Sequence, residues 1–347
     1  MPPGITIYSE IPANEQFQQQ QISSQTYLQT VIDIAQQTEQ HGLQGSLLYY
    51  NHLILDPWTL AATIVQHTEK LIPLIALQPY TMPPLTAAKM IQTIGYMFDR
   101  PVHLNLISGA MQQELQQLGD QTSHDRRYER IVEYTEVLNM LLSATRPVYY
   151  EGLFYQLSGV QLEPRLPEHL RPRILMSGSS DASIQAAREA ADVAITHPGP
   201  IGHFEQFVQE KFSQDKLLDL GMRIGMIARK TREEAWSHAE STYQVTKKSE
   251  RLTQLKTKSE SVWNRNLAVL AMENELYDGV YWLGGFKSGV EFNPILVGSY
   301  EEVASYLQRY IGLGVNTFII NNLIHSQDFE HVGRVFEQVH GGERRTL

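Results

Sequence analysis

The chain contains no cysteine. Disulfides, thiolate nucleophiles and zinc–sulfur centres are therefore excluded. It has no excess of positive charge. Lys and Arg total 28 against 38 Asp and Glu, a net charge of −10. A nucleic-acid partner would call for a basic face, and a membrane surface for a polybasic stretch, so neither partner is expected. No apolar run approaches the roughly 20 residues of a membrane span. The N-terminus has no charged segment followed by an apolar one, and a cytoplasmic protein is the expectation. Several motifs are also missing: HExxH, an EF-hand loop, GxxxxGK[ST], GxGxxG after a strand, and GxSxG. A resident metal is not expected.

What is present is a core of ample size. Apolar residues make up 42% of the 347 positions, and charged residues 19%. Short apolar runs alternate with longer amphipathic ones. The runs at 5–11, 46–50, 72–78, 102–108, 173–177, 193–196, 222–228 and 317–321 are nearly all-apolar, as parallel strands covered on both faces must be. Helical periodicity fills 27–42, 57–70, 85–98, 128–143, 181–191, 231–244 and 299–312. Strand–helix units spread over the whole chain predict a (β/α)8 TIM barrel, read as a single domain over 1–347. A doubly wound open sheet is the second architecture that the alternation allows.

Two insertions interrupt the alternation, at about 145–170 and 245–295. The first reads as a β-hairpin turning at Glu151-Gly152. The second is polar and then glycine-rich, and reads as a long loop or lid near the barrel's C-terminal rim. The piece FQQQQI at 17–22 reads as a polar loop.

Six stretches carry candidate chemistry, each beside a structural alternative. The run Ser177-Gly-Ser-Ser-Asp181 lies between a strand and a helix. Free N–H groups there, with Gly178, Ser179 and Ser180, suit an anion; equally, Ser180 or Asp181 simply caps the helix. Asn105 is an amide inside an apolar strand, where it holds either a planar heterocycle or neighbouring backbone. His124 and Tyr128 share a helix face and could grip one ligand, or stand in a solvated helix start. Tyr49, Tyr50 and His52 follow a strand end, where barrel chemistry sits; His52 is a candidate acid or base, or a loop histidine. Arg223 lies in an apolar strand, facing an anion or a rim partner. His325 follows the last strand.

The order of these pieces closely resembles the bacterial-luciferase-like flavin monooxygenases, in the alkanesulfonate monooxygenase-like branch that also holds long-chain alkane monooxygenase. The resemblance runs from about Ile5 to Phe336. It is carried by Ala76-Leu-Gln-Pro79, HLNLISG at 103–109, His124-x-x-Arg127-Tyr128-Glu129, Ser177-Gly-Ser-Ser-Asp181 and RIGMIARKTREEAW at 223–236. It implies a two-component monooxygenase using FMN in reduced form (FMNH2) and O2 through a C4a-peroxyflavin. An NAD(P)H-dependent flavin reductase would be a partner, and a homodimer or homotetramer the assembly. Carried over by position, Asn105 contacts the isoalloxazine, Ala76 and Leu77 lie under it, His124 and Tyr128 line the ribityl-phosphate side, and Gly178, Ser179 and Ser180 hold the phosphate.

Where the alkanesulfonate enzymes have a cysteine, a histidine and a tyrosine, this chain has Ile54, Gly225 and Leu323. Arg223 and His325 remain of that cluster. One arginine and one histidine suit a short alkanesulfonate poorly. The expected substrate is a larger organic molecule, a natural-product intermediate or a carrier-bound acyl chain, with Tyr49, Tyr50, Ile54, Trp282, Phe286 and Lys287 as walls. Catalytic contacts fall to Arg223, His325 and His52. Two other readings share the fold: an F420-dependent oxidoreductase, and a flavin-binding member whose catalysis has decayed.

Overall fold

The computed structural model describes residues 4–11, 23–52, 54–109, 112–212, 218–259 and 261–343; the 17–22 piece lies outside them. The parallel strands, in chain order, are β1 (Thr6–Ile11), β2 (Gly45–Leu48), β3 (Ile72–Leu77) and β4 (His103–Leu106). After a hairpin of β5 (Val148–Glu151) and β6 (Gln156–Val160) come β7 (Ile174–Ser177), β8 (Val193–Thr196) and β9 (Asp219–Arg229). The small strands β10 (Leu276–Tyr277) and β11 (Tyr281–Trp282) precede β12 (Ile295–Ser299) and β13 (Val315–Asn321). The sheet order β13-β1-β2-β3-β4-β7-β8-β9, with β9 again beside β13, is that of a (β/α)8 barrel. Every residue of β2, β4 and β8 is buried, which explains why these strands read as unbroken apolar runs.

By packing, the chain falls into two compact units. One comprises 10–40 and 44–194. In it β2, β3, β4 and β7 pair in parallel, with Ala76 opposite Asn105 and Asn105 opposite Leu175. Its helices start where the sequence places caps. Asp56 accepts the Thr59 N–H at 2.8 Å, with Pro57 as first helical residue of Pro57–Gln66. The hairpin is held by the Glu133 carboxylate, which accepts N–H bonds from Leu153, Phe154 and Tyr155.

The other unit comprises 1–9, 41–43 and 195–347. The 11-residue β9 serves two partners. Its first half pairs with β13 and its second half, from Gly225 on, with β12. β11 and β10 extend that edge in antiparallel fashion. The second insertion is therefore not the long loop that its polar start suggests. It folds as helices Lys247–Lys256 and Val262–Glu273, capped by Thr246 and Ser261, followed by β10 and β11. Leu267, Ala268 and Ala271 supply the buried stripe of the second helix. The helices Gln112–Gln117, Ile201–Phe212 and Ser326–Glu343 also lie where no helix is read from periodicity.

Candidate functional site

In the first unit, Asn105 is buried in β4, and its Oδ1 accepts a hydrogen bond from Ser177 Oγ at 2.7 Å. Alternation along β7 puts Leu175, the partner of Asn105, and Ser177 on one face. Ala76 flanks Asn105 on β3, and both Ala76 and Leu77 are buried. Gly178 follows. A Cβ there would lie 2.4 Å from Ser183 Cβ and 2.9 Å from the Tyr128 hydroxyl. Glycine is therefore required for the turn and the phenol to come together. His124 stands edge-on to Tyr128 with ring centroids 5.2 Å apart, and its Nδ1 lies 2.8 Å from Asp125 Oδ1.

Ser180 does cap the helix Asp181–Ala190, accepting the Ser183 N–H at 3.2 Å. One hydroxyl is thereby committed, while Ser179 stays in the turn beside it. The structure thus brings Asn105, Ser177 and Gly178 together, and sets Tyr128, with His124 on its ring, against the same turn. Ser177 and Ser183 were not singled out in the sequence; their place beside Gly178 was the available signal.

A second polar group comes from the segments after β2, β3 and β4. Neither ring nitrogen of His52 has a hydrogen-bond partner, and Nδ1 lies 3.9 Å from the Glu114 carboxylate. Burial raises the pKa of the Tyr80 phenol, with Tyr50 and Glu114 adding to it. The Tyr50 phenol is raised first by burial as well. Tyr80 Oη and Gln78 Oε1 are buried and without a partner. Tyr49 and Ile54 are half-buried. Gln78, Tyr80 and Glu114 are additions that only the fold reveals.

In the second unit, Arg223 is half-buried on β9. Its positive charge bears on His197, the residue after β8. His325 is exposed, and its backbone N–H is bonded to Asp328 Oδ2 at 2.9 Å. Leu323 is buried. Trp282 sits in an apolar cluster with Trp236, Tyr243, Ile227 and Val297, and donates to Glu275 at 3.1 Å. Phe286 is buried under the Lys256 ammonium, 4.3 Å from its ring. Lys287 pairs with Glu275 at 3.0 Å. The structure thus gives Phe286 and Lys287 packing and pairing duties within their own insertion, and Trp282 a place in the cluster around β9 and β12.

The sequence profile described as luciferase-like monooxygenase matches residues 13–317. The chain belongs to that family. It is thereby an enzyme of the flavin-dependent monooxygenase class. Over 336 residues it is 41% identical to the monooxygenase BtrO of Niallia circulans, spanning 96% of this chain and 97% of that one. The name of that enzyme gives its substrate as 4-(gamma-L-glutamylamino)butanoyl on the BtrI acyl-carrier protein. Among solved structures, long-chain alkane monooxygenase (LadA) superposes with a TM-score of 0.73 at 16% identity, over 99% of this chain and 92% of that one. An F420-dependent secondary alcohol dehydrogenase superposes at 0.64 and 16% identity, over 95% and 98%. These structures share the fold, so the barrel alone does not select between flavin and deazaflavin.

The first unit suits a flavin. Gln78 and Tyr80 hold buried polar atoms that lack a protein partner. Buried polar groups are otherwise satisfied, so such atoms mark a place for ligand polar groups. The Gly178 turn adds N–H groups at the positive end of a helix.

Proposed function

We propose that this enzyme is a two-component monooxygenase that uses reduced FMN and O2 to oxygenate an acyl group carried on an acyl-carrier protein. The observation that carries this reading is the 41% identity to BtrO along 96% of the chain. In this reading Asn105 orients the isoalloxazine from β4, Ala76 and Leu77 lie under it, and His124 and Tyr128 line the ribityl side. Gly178, Ser179 and Ser180 hold the phosphate. When bound, reduced FMN supplies the electrons by which O2 gives one oxygen atom to the substrate and the other to water. The protein's part is to position, to exclude water and to handle protons. His52, whose ring nitrogens make no hydrogen bond and whose Nδ1 faces the Glu114 carboxylate, is placed to hold or pass a proton. Tyr49, Tyr50 and Ile54 wall the acyl group. An NAD(P)H-dependent reductase would supply the flavin in the cytoplasm to a homodimer or homotetramer.

The test is a single turnover. Enzyme with reduced FMN and O2 is mixed with an acyl-carrier protein bearing 4-(gamma-L-glutamylamino)butanoyl, the group named for BtrO. The expected result is a thioester one oxygen atom heavier. Unchanged thioester with folded enzyme and consumed flavin would refute the reading. The F420 reading rests on the shared barrel, and predicts instead reduction or oxidation of substrate without oxygen incorporation.

A further inference from the structure

His197 has no role in the preceding reading, yet it is placed like a site residue. It directly follows β8, at the strand end where barrel enzymes keep their chemistry. The residue is half-buried, and its Nδ1, shielded from solvent, has no hydrogen-bond partner. Trp263, from the inserted helix Val262–Glu273, lies flat on the imidazole, with centroids 4.2 Å apart and planes 24° from parallel. Arg223, on the strand beside β8, exerts its charge on the same ring.

A buried nitrogen without a partner costs stability unless something completes it. Burial, and then the Arg223 charge, lower the pKa of His197 to about 3, so the ring is neutral. A neutral imidazole keeps one N–H to donate. Beside a guanidinium, a second cation is repelled and an anion attracted. A carboxylate is the group that both donors would stabilise at once.

We propose that His197 is a substrate-contacting specificity residue that donates from Nδ1 to a carboxylate of the acyl substrate, with Trp263 as an aromatic cover displaced when that carboxylate enters. This rests on the acyl-carrier reading above and adds to it which end group the enzyme selects. The inserted helix is then the carrier of the cover, and Trp263 its reporting group.

The experiment compares two pantetheine thioesters of glutaric acid, one with the far carboxylate free and one with it as carboxamide. Dissociation constants are measured by calorimetry for the whole enzyme, for His197→Ala and for His197→Asn, which keeps a side-chain N–H. Thermal unfolding is recorded for each. The wild type is expected to prefer the carboxylate by about ten-fold or more, the usual gain of a charge-assisted bond. His197→Ala should bring the ratio close to one while leaving the carboxamide affinity within about three-fold, and His197→Asn should restore part of it. The carboxylate thioester should also change tryptophan emission in the wild type but not in Trp263→Phe. A ratio unchanged in folded His197→Ala, or in His197→Asn should the alanine variant not fold, overturns the assignment. So does an emission change that persists in Trp263→Phe. If neither thioester binds any variant, the acyl-carrier reading fails first and this assignment with it.

Discussion

At Gly178 the space of a side chain is taken by Ser183 and the hydroxyl of Tyr128. At Gly284 it is taken by the indole of Trp282, 2.1 Å from the would-be Cβ, and by the Glu275 carboxylate. In both turns glycine is needed for close approach. The first turn opens a ten-residue helix, and Ser177 just before it bonds a buried asparagine. The second locks a five-residue helix onto its own hydrophobic cluster. Glycine therefore marks tight packing, and the chemistry of the neighbours decides whether the turn serves a ligand or the core.

The largest expected effect is on stability in acid, and it bears on both regions. Each holds a neutral histidine, His103 buried in β4 and His197 half-buried after β8. Burial lowers both to about 3; the Arg173 charge adds to it for His103 and the Arg223 charge for His197. The unfolded chain takes up protons near pH 6.5 while the folded chain does not. Stability is thus retained above about 6.5 and lost as pH falls from there toward about 3. The loss is on the order of 1 kcal/mol per histidine for each pH unit. Denaturant melts between pH 7 and pH 5 will show it, and His103→Gln should flatten the slope by about half.

Next in size, Gly284→Ala should destabilise the protein by about 1–3 kcal/mol through overpacking against Trp282 and leave flavin affinity unchanged. Gly178→Ala should do the reverse. It should weaken binding of reduced FMN by roughly ten-fold to a hundred-fold, with a smaller change in melting temperature. If both variants lose stability alone, the distinction between the turns collapses. Asn105→Leu removes the acceptor of Ser177 Oγ, and should cost about 1–3 kcal/mol in stability together with flavin affinity. Smallest is Ser180→Ala, which loses a helix cap worth about 1 kcal/mol. Equilibrium unfolding with and without FMN checks both.

Much of this architecture was legible in the sequence. The eight barrel strands are buried on both faces, so apolar runs alone marked them. Caps such as Asp56 with Pro57 fixed helix starts. The proposed flavin-side row drew notice because Asn105 and Gly178 break the pattern of their surroundings. Harder to see was the second insertion: its polar helix Lys247–Lys256 buries only Ser249 and Thr253, so no apolar stripe announced it. Trp282 and Phe286, read as pocket walls, take part in packing, since aromatic residues beside glycine suit both a ligand and a core. Gln78, Tyr80 and His197 were missed for a related reason. Their meaning lies in an unpaired buried atom, and pairing is a property of the fold.

The central claim is that the Asn105–Tyr128–Gly178 region binds reduced FMN. Anaerobic titration of the folded protein with photoreduced FMN, beside reduced F420 and with Gly178→Ala as control, tests it most directly. The account predicts saturable binding of reduced FMN that is far tighter than that of F420 and weakened in the variant. Binding of F420 in preference, or no binding of reduced FMN to intact protein, would contradict it.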